Sequence, residues 1–102
     1  MMQEAAGILE VYGCVAAMVA ADAAAKAANV RIESIDKNKP AHAETLPVPL
    51  ITCLKIRGSV SDVQVALDAA AAAAESITGV ITKHMISGPT TDCEKMLRLS
   101  AI

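Results

Sequence analysis

Residues 5–35 read AAGILEVYG, CVAAMVAADAAAKAAN, VRIESI: a short apolar run closed by glycine, an alanine-rich run without a breaker, and a second short run that alternates. Ala5 to Val11, interrupted by Glu10 and stopped at Gly13, has the length and apolar character of a strand. Cys14 to Ala28 contains no Gly or Pro, is built on the strongest helix former and ends at Asn29, so it predicts a helix. Asp22 and Lys26 stand on it four residues apart in the favourable acid-first order. Val30, Ile32 and Ser34 alternate with Arg31, Glu33 and Ile35, which predicts a half-buried strand over 30–35. The unit is β-α-β.

The second half repeats that order. Leu50 to Arg57 is β-rich and ends at Gly58, a third strand. Ser61-x-x-Gln64 has the form of a capping box. Val63, Ala66, Leu67, Ala70, Ala74 and Ile77 follow at helical spacing, which predicts a helix over 61–77 with Gly79 placed to end it. Val80 to Ile86 reads as a fourth strand. Ser87-Gly88-Pro89 breaks the chain, and Thr91-x-x-Glu94 has the form of a capping box for a short helix through about Leu99. Two β-α-β units in one domain of residues 1–102 predict an α/β (α+β) fold of the ferredoxin-like split βαβ kind. Its sheet is four-stranded and antiparallel, its two main helices share one face through right-handed crossovers, and a short C-terminal helix closes it.

Between the halves, residues 36–49 have no period and hold Pro40, Pro47, Pro49, His42, Lys37 and Lys39. They read as a loop, long for so small a domain, and loops of that length are usually functional or mobile. Pro47-Val48-Pro49 is stiff, since each proline fixes φ and lacks an N–H.

Composition narrows the function. The chain is 54% hydrophobic but only 1% aromatic, with Tyr12 alone and no Phe or Trp. The core is therefore Ala, Val, Ile, Leu and Met, side chains that let helices and sheets approach closely but bury little area each, at roughly 25 cal/mol per Å². Such a core is marginal for a monomer of 102 residues, and burial between copies supplies what it lacks. Net charge is −2, with no basic cluster or aromatic-basic face, which argues against nucleic acid. Asp22 and Lys26 interrupt the first alanine run; Asp62, Asp68 and Glu75 interrupt the second. Neither offers the ~20 uncharged apolar residues of a membrane span. Met1-Met2-Gln3-Glu4 lacks the basic start and apolar run of a signal peptide, so a cytoplasmic location is expected. Cys14, Cys53 and Cys93 are an odd number at wide spacing, neither a disulfide framework nor a zinc signature. Cys14 opens a helix and reads as a packed thiol, Cys53 as a core residue in mid-strand, and Cys93 as a surface or interface thiol beginning the last helix. His84 reads as structural and His42 as a solvated loop residue, so no metal is expected. No nucleophile has a base placed beside it, which argues against an enzyme.

Several stretches taken in order resemble the bacterial microcompartment shell domain. They are Ala6-Gly7-Ile8-Leu9-Glu10-Val11-Tyr12-Gly13, Ala20 to Val30, Arg57-Gly58-Ser59-Val60, Ala66 to Glu75, Gly79-Val80 leading to His84-Met85-Ile86, and Thr91-Asp92-Cys93-Glu94-Lys95-Met96-Leu97. The element order matches the non-permuted, single-domain form of that family. The resemblance implies a cyclic homohexamer, a flat tile that joins other shell proteins edge to edge around encapsulated enzymes, with a pore on the six-fold axis for metabolites.

That resemblance also assigns residues. Lys26 matches the edge lysine that meets its mate across the boundary between hexamers, and Asn29 a neighbouring edge position. Gly88 stands where many relatives carry an edge arginine, so a guanidinium reaching into the next tile is missing. Relatives have a short glycine-rich turn between the second and third strands that frames the pore. Residues 36–49 replace it here, which implies a pore loop of Lys39, Pro40, His42, Glu44, Pro47, Val48 and Pro49. Long pore loops are similar to those of shell proteins associated with glycyl-radical enzymes, some of which carry a cysteine between prolines and bind an iron–sulfur cluster. Val48 occupies that slot, and a cluster needs thiolate ligands, so no cofactor is expected. The alternative on the same fold is a small-ligand or metal-binding regulatory domain, which needs paired cysteines or a glycine-rich phosphate loop and finds neither.

Overall fold

A computed structural model describes residues 4–100. Met1-Met2-Gln3, part of the stretch read against a signal peptide, lie outside them. The elements are β1 (Ala5–Tyr12), α1 (Cys14–Ala27), β2 (Arg31–Asn38), β3 (Ile51–Gly58), α2 (Val60–Glu75), β4 (Val80–Ile86) and α3 (Thr91–Leu97), with a 3₁₀ turn at Ala43–Thr45. The strands pair in the order β2-β3-β1-β4, and every pairing is antiparallel. This is the ferredoxin-like split βαβ sheet expected from the element order.

Both long helices pack on one face of that sheet. Ala16, Ala17, Ala20, Ala21 and Ala24 of α1 meet Val63, Ala66, Leu67, Ala70 and Ala74 of α2 in one buried cluster with Ala5, Leu9, Val11, Leu54 and Ile56 of the central strands. The contribution of α1 is entirely alanine, so close approach replaces side-chain volume as the means of excluding water. The predicted stripe on α2 is correct through Ala74; Ile77 lies past the helix end and is exposed.

Local chemistry corrects several boundaries. The cap of α2 is Ser59 and not Ser61: the Ser59 hydroxyl accepts from the Asp62 N–H at 3.1 Å. The cap of α3 is Thr90 and not Thr91, with the Thr90 hydroxyl accepting from the Cys93 N–H at 3.2 Å. In both cases two hydroxyl residues were in range, and the cap is the one preceding a free N–H three residues on. β2 runs to Asn38, three residues past the expected end, because Asp36, Lys37 and Asn38 pair with Cys53, Thr52 and Ile51. A register shift between Ile32 and Ser34 also breaks its alternation. Ile32 and Ile35 both pair with core-facing residues, Ile56 and Leu54, while Ser34 pairs with Lys55 on the opposite face. One extra residue in a strand does this, since the side-chain period is two.

Candidate functional site

The connection between β2 and β3 is a structured loop over 39–50. Ala43 is buried at 2% exposure and anchors it. The Thr45 hydroxyl donates to the His42 carbonyl at 2.8 Å, and the Thr45 N–H to the same carbonyl at 3.0 Å. His42 holds the left-handed conformation at φ 59 that this turn requires. The loop then folds back on the β1–α1 junction, where the Gly13 N–H donates to the Leu50 carbonyl at 2.9 Å. Gly13 sits at φ 88, and Val48 lies against it, a γ-methyl 3.3 Å from where a Gly13 Cβ would stand. Val48 is thus half-buried while Pro47 and Pro49 on either side are exposed. Lys39, His42 and Glu44 point to solvent and Pro40 is half-buried. His42 Nδ1 lies 3.8 Å from the Glu44 carboxylate, both side chains being more than three-quarters exposed, a setting in which ion pairs contribute little.

Lys26 and Asn29 lie at the other end of α1. Fourteen residues separate the two ends of that helix, about 20 Å at 1.5 Å per residue. The structure therefore brings the seven loop residues together and sets Lys26 and Asn29 apart from them. Lys26 Nζ lies 2.7 Å from the Asp22 carboxylate, both exposed. That hydrogen bond, and then the charge of Asp22, holds the Lys26 ammonium above its ordinary pKa. Asn29 is exposed on the rim of a polar cleft lined by Arg31, Arg57, Ser59 and Asp62. Gly88 is exposed in the turn after β4.

The remaining candidates separate. His84 is exposed on the edge strand β4, opposite Ile8. Its neighbour Lys83 donates to Asp68 at 2.8 Å and holds that carboxyl below its ordinary pKa. Cys14 lies in the first turn of α1, half-buried, with its sulfur 3.9 Å from the Thr52 hydroxyl. Cys93 is half-buried in the third position of α3. Cys53 is not in the core. It pairs with Glu10 and Asp36 on the face that α1 and α2 leave open, because Thr52 and Leu54 take the core side of β3. Burial there pushes its thiol pKa up, opposed by Lys55 and reinforced by Glu10 and Asp36. Among the described residues no group of three or more His, Cys, Asp or Glu side chains is placed to hold a metal ion. No helix among them is long and apolar enough to cross a membrane.

One cluster was not anticipated. Lys55 and Arg57 are 8% and 3% exposed on the open face of β3. Arg57 donates to both Glu94 carboxylate oxygens, at 2.6 and 2.7 Å, and to the Glu4 carbonyl at 2.9 Å. Arg31 pairs with Glu4 at 2.7 Å and with Glu33 beside it. The signal available was two cations at alternate positions of an otherwise apolar strand, since a buried charge requires a partner.

The BMC domain matches residues 5–89. The bacterial microcompartment shell protein PduA of Citrobacter freundii is 41% identical over 97 residues, 95% of each chain. The carboxysome shell protein CcmK3 of Halothece sp. is 34% identical over 101 residues, 97% of this chain and 90% of that one. Among solved structures, a microcompartments protein from Desulfitobacterium hafniense superposes with a TM-score of 0.72 at 23% identity. The match covers 99% of this chain and spans half (50%) of that one, and at this identity it speaks to the fold.

Proposed function

This chain belongs to the BMC domain family, and from that premise we propose that it is a structural shell protein of a bacterial microcompartment, closing into cyclic hexameric tiles. The observation that carries the reading is similarity to a microcompartment shell protein along 95% of both chains. Its place is the microcompartment shell in the bacterial cytoplasm, and its partners are copies of itself, other shell proteins and the encapsulated enzymes. It works by packing and not by catalysis. The regulatory-domain alternative is not favoured, because the relatives along nearly the whole chain are shell proteins.

Surface composition supports self-association. Val15, Met18, Val65 and Met96 are 68%, 57%, 52% and 62% exposed, while the face of α1 turned to the core is entirely alanine. Copies that cover such residues gain the burial the small core lacks. The two ends of α1 then take different roles. Lys39, Pro40, His42, Glu44, Pro47, Val48 and Pro49 surround the six-fold axis and govern metabolite passage. Lys26 and Asn29 lie on the tile's edge. With Gly88 in place of the edge arginine, tiling leans on other shell proteins. The length of the loop over 39–50 supports kinship with the glycyl-radical-enzyme-associated shell proteins, but Val48 supplies no thiolate, and we read the loop as carrying no iron–sulfur cluster.

The test is the mass of the purified protein by size exclusion with static light scattering. A hexamer is expected. A stable monomer or dimer across the accessible concentration range refutes the tile.

A further inference from the structure

α3 lies over the face of the sheet opposite α1 and α2, and what holds it there is mostly polar. Arg57 grips Glu94 with two hydrogen bonds, at 2.6 and 2.7 Å. The Ser34 hydroxyl donates to the Leu97 carbonyl at 2.6 Å. Lys55 Nζ reaches the carbonyls of Leu99 at 2.9 Å and Met96 at 3.3 Å, closing the helix C-terminus. The Ser100 hydroxyl donates to the Ile35 carbonyl at 2.8 Å. Among the described apolar residues of α3 and the stretch after it, only Leu97 is buried, at 3% exposure, while Met96 and Leu99 are 62% and 51% exposed. A helix of seven residues does not persist in water on its own, because its nucleation cost is not recovered over two turns. Its order therefore depends on these clips. The Ser87-Gly88 turn before it is exposed, and Pro89 beyond is buried.

We propose that α3 is a releasable strap, latched by Arg57 on Glu94, that opens and closes as one unit while the four-stranded sheet and its two long helices stay folded. The anchor survives opening. Arg57 keeps the Glu4 carbonyl at 2.9 Å, the Ala5 carbonyl at 3.3 Å and Glu33 at 3.7 Å, all outside α3. The latch is thus two-sided: closed, Glu94 completes the pairing of a 3% exposed guanidinium; open, Lys55 and Arg57 are hydrated and Arg57 stays paired with Glu33.

Amide hydrogen exchange by mass spectrometry on the full chain, in the assembly it forms, tests the strap. In Glu94→Gln, amides of residues 91–97 are expected to exchange roughly tenfold to a hundredfold faster, the worth of hydrogen bonds to a charged group, with β1, β3, α1 and α2 unchanged. In the unmodified protein under weakly denaturing conditions, the α3 amides are expected to exchange through an opening well below that of β3. That measurement stands even if the variant folds poorly. Unchanged exchange of 91–97 in Glu94→Gln overturns the latch. Equal protection of α3 and β3 in the unmodified protein makes α3 part of the cooperative core and overturns the strap.

Discussion

Replacing Gly7 with alanine probes how closely α2 sits on the sheet. Gly7 lies in β1 with its missing side chain aimed into the core. A Cβ there would stand 2.8 Å from Val63 Cγ1, 2.9 Å from Ile56 Cγ1 and 3.0 Å from Leu67 Cγ. Carbon atoms pack best at about 3.5–4.0 Å, so each neighbour must retreat by roughly 0.5–1 Å. None has space, since Val63 and Ile56 are 0% exposed and Leu67 3%. Overpacking of this kind costs about 1–3 kcal/mol. Against it, alanine is favoured over glycine within a strand by about 0.5–1 kcal/mol. The packing cost wins, and the net loss is about 1–2 kcal/mol, a fall in Tm of order 5–10 °C for a domain this size. The assay is thermal and urea unfolding at one fixed protein concentration, because association couples to stability. A double-mutant cycle isolates the cause. Val63→Ala alone removes two methyl groups and costs about 1.5 kcal/mol in area, but it also removes the nearest obstacle to the new Cβ. Gly7→Ala with Val63→Ala should therefore cost less than the sum by at least about 0.5 kcal/mol. A neutral or stabilising Gly7→Ala, or strict additivity in the cycle, refutes the close-approach argument.

The other expectations concern the loop, the edge and a thiol. Gly13→Ala forces an alanine to φ 88 and ψ 159 at a position only glycine adopts cheaply, costing about 1–3 kcal/mol; proteolysis of the loop over 39–50 should quicken, and an unchanged cleavage rate counts against the Gly13–Val48 seat. Lys26→Ala should leave hexamers intact but reduce the sheets or tubes seen by electron microscopy of overexpressed protein; unaltered sheets remove Lys26 from the edge. Deleting residues 39–48 should also leave the hexamer, and failure to assemble would make the loop structural instead of pore-forming. Cys53 holds its proton to higher pH in the fold than in the open chain, so its contribution to stability is present below the ordinary thiol range and is lost as pH rises through its raised folded value. Mass-spectrometric alkylation of Cys53 should have a midpoint above about 8.5, and one at or below that value overturns the burial argument.

Legibility varied with the range of the interaction. Strand and helix order followed from runs such as Ala5 to Val11 and Cys14 to Ala28, whose period and breakers act within a few residues. The α2 stripe from Val63 to Ala74 was legible for the same reason. Caps were half legible: a hydroxyl residue near 60 and another near 91 were apparent, but Ser59 and Thr90 won over Ser61 and Thr91 through the N–H each happened to face. The face of Cys53 was not legible, because it depends on which side of β3 the two helices cover. Nor was the extent of β2, whose last three residues, Asp36 to Asn38, are polar and are strand only because Cys53, Thr52 and Ile51 lie alongside.

The chain's own order of residues therefore settles the fold class, the small-residue core and the family, because each rests on local period and composition. Folding adds three things. It sends the loop over 39–50 back to Gly13, it separates that loop from Lys26 by the length of α1, and it sets Arg57 on Glu94 across 37 residues of chain. Contacts of that reach appear only when the sheet brings distant segments side by side. The entropy of closing so long a loop is met by the whole packed domain and by no pair alone. The self-association proposed from an alanine core too thin for a lone domain would take its centre and its edge from those two ends of α1.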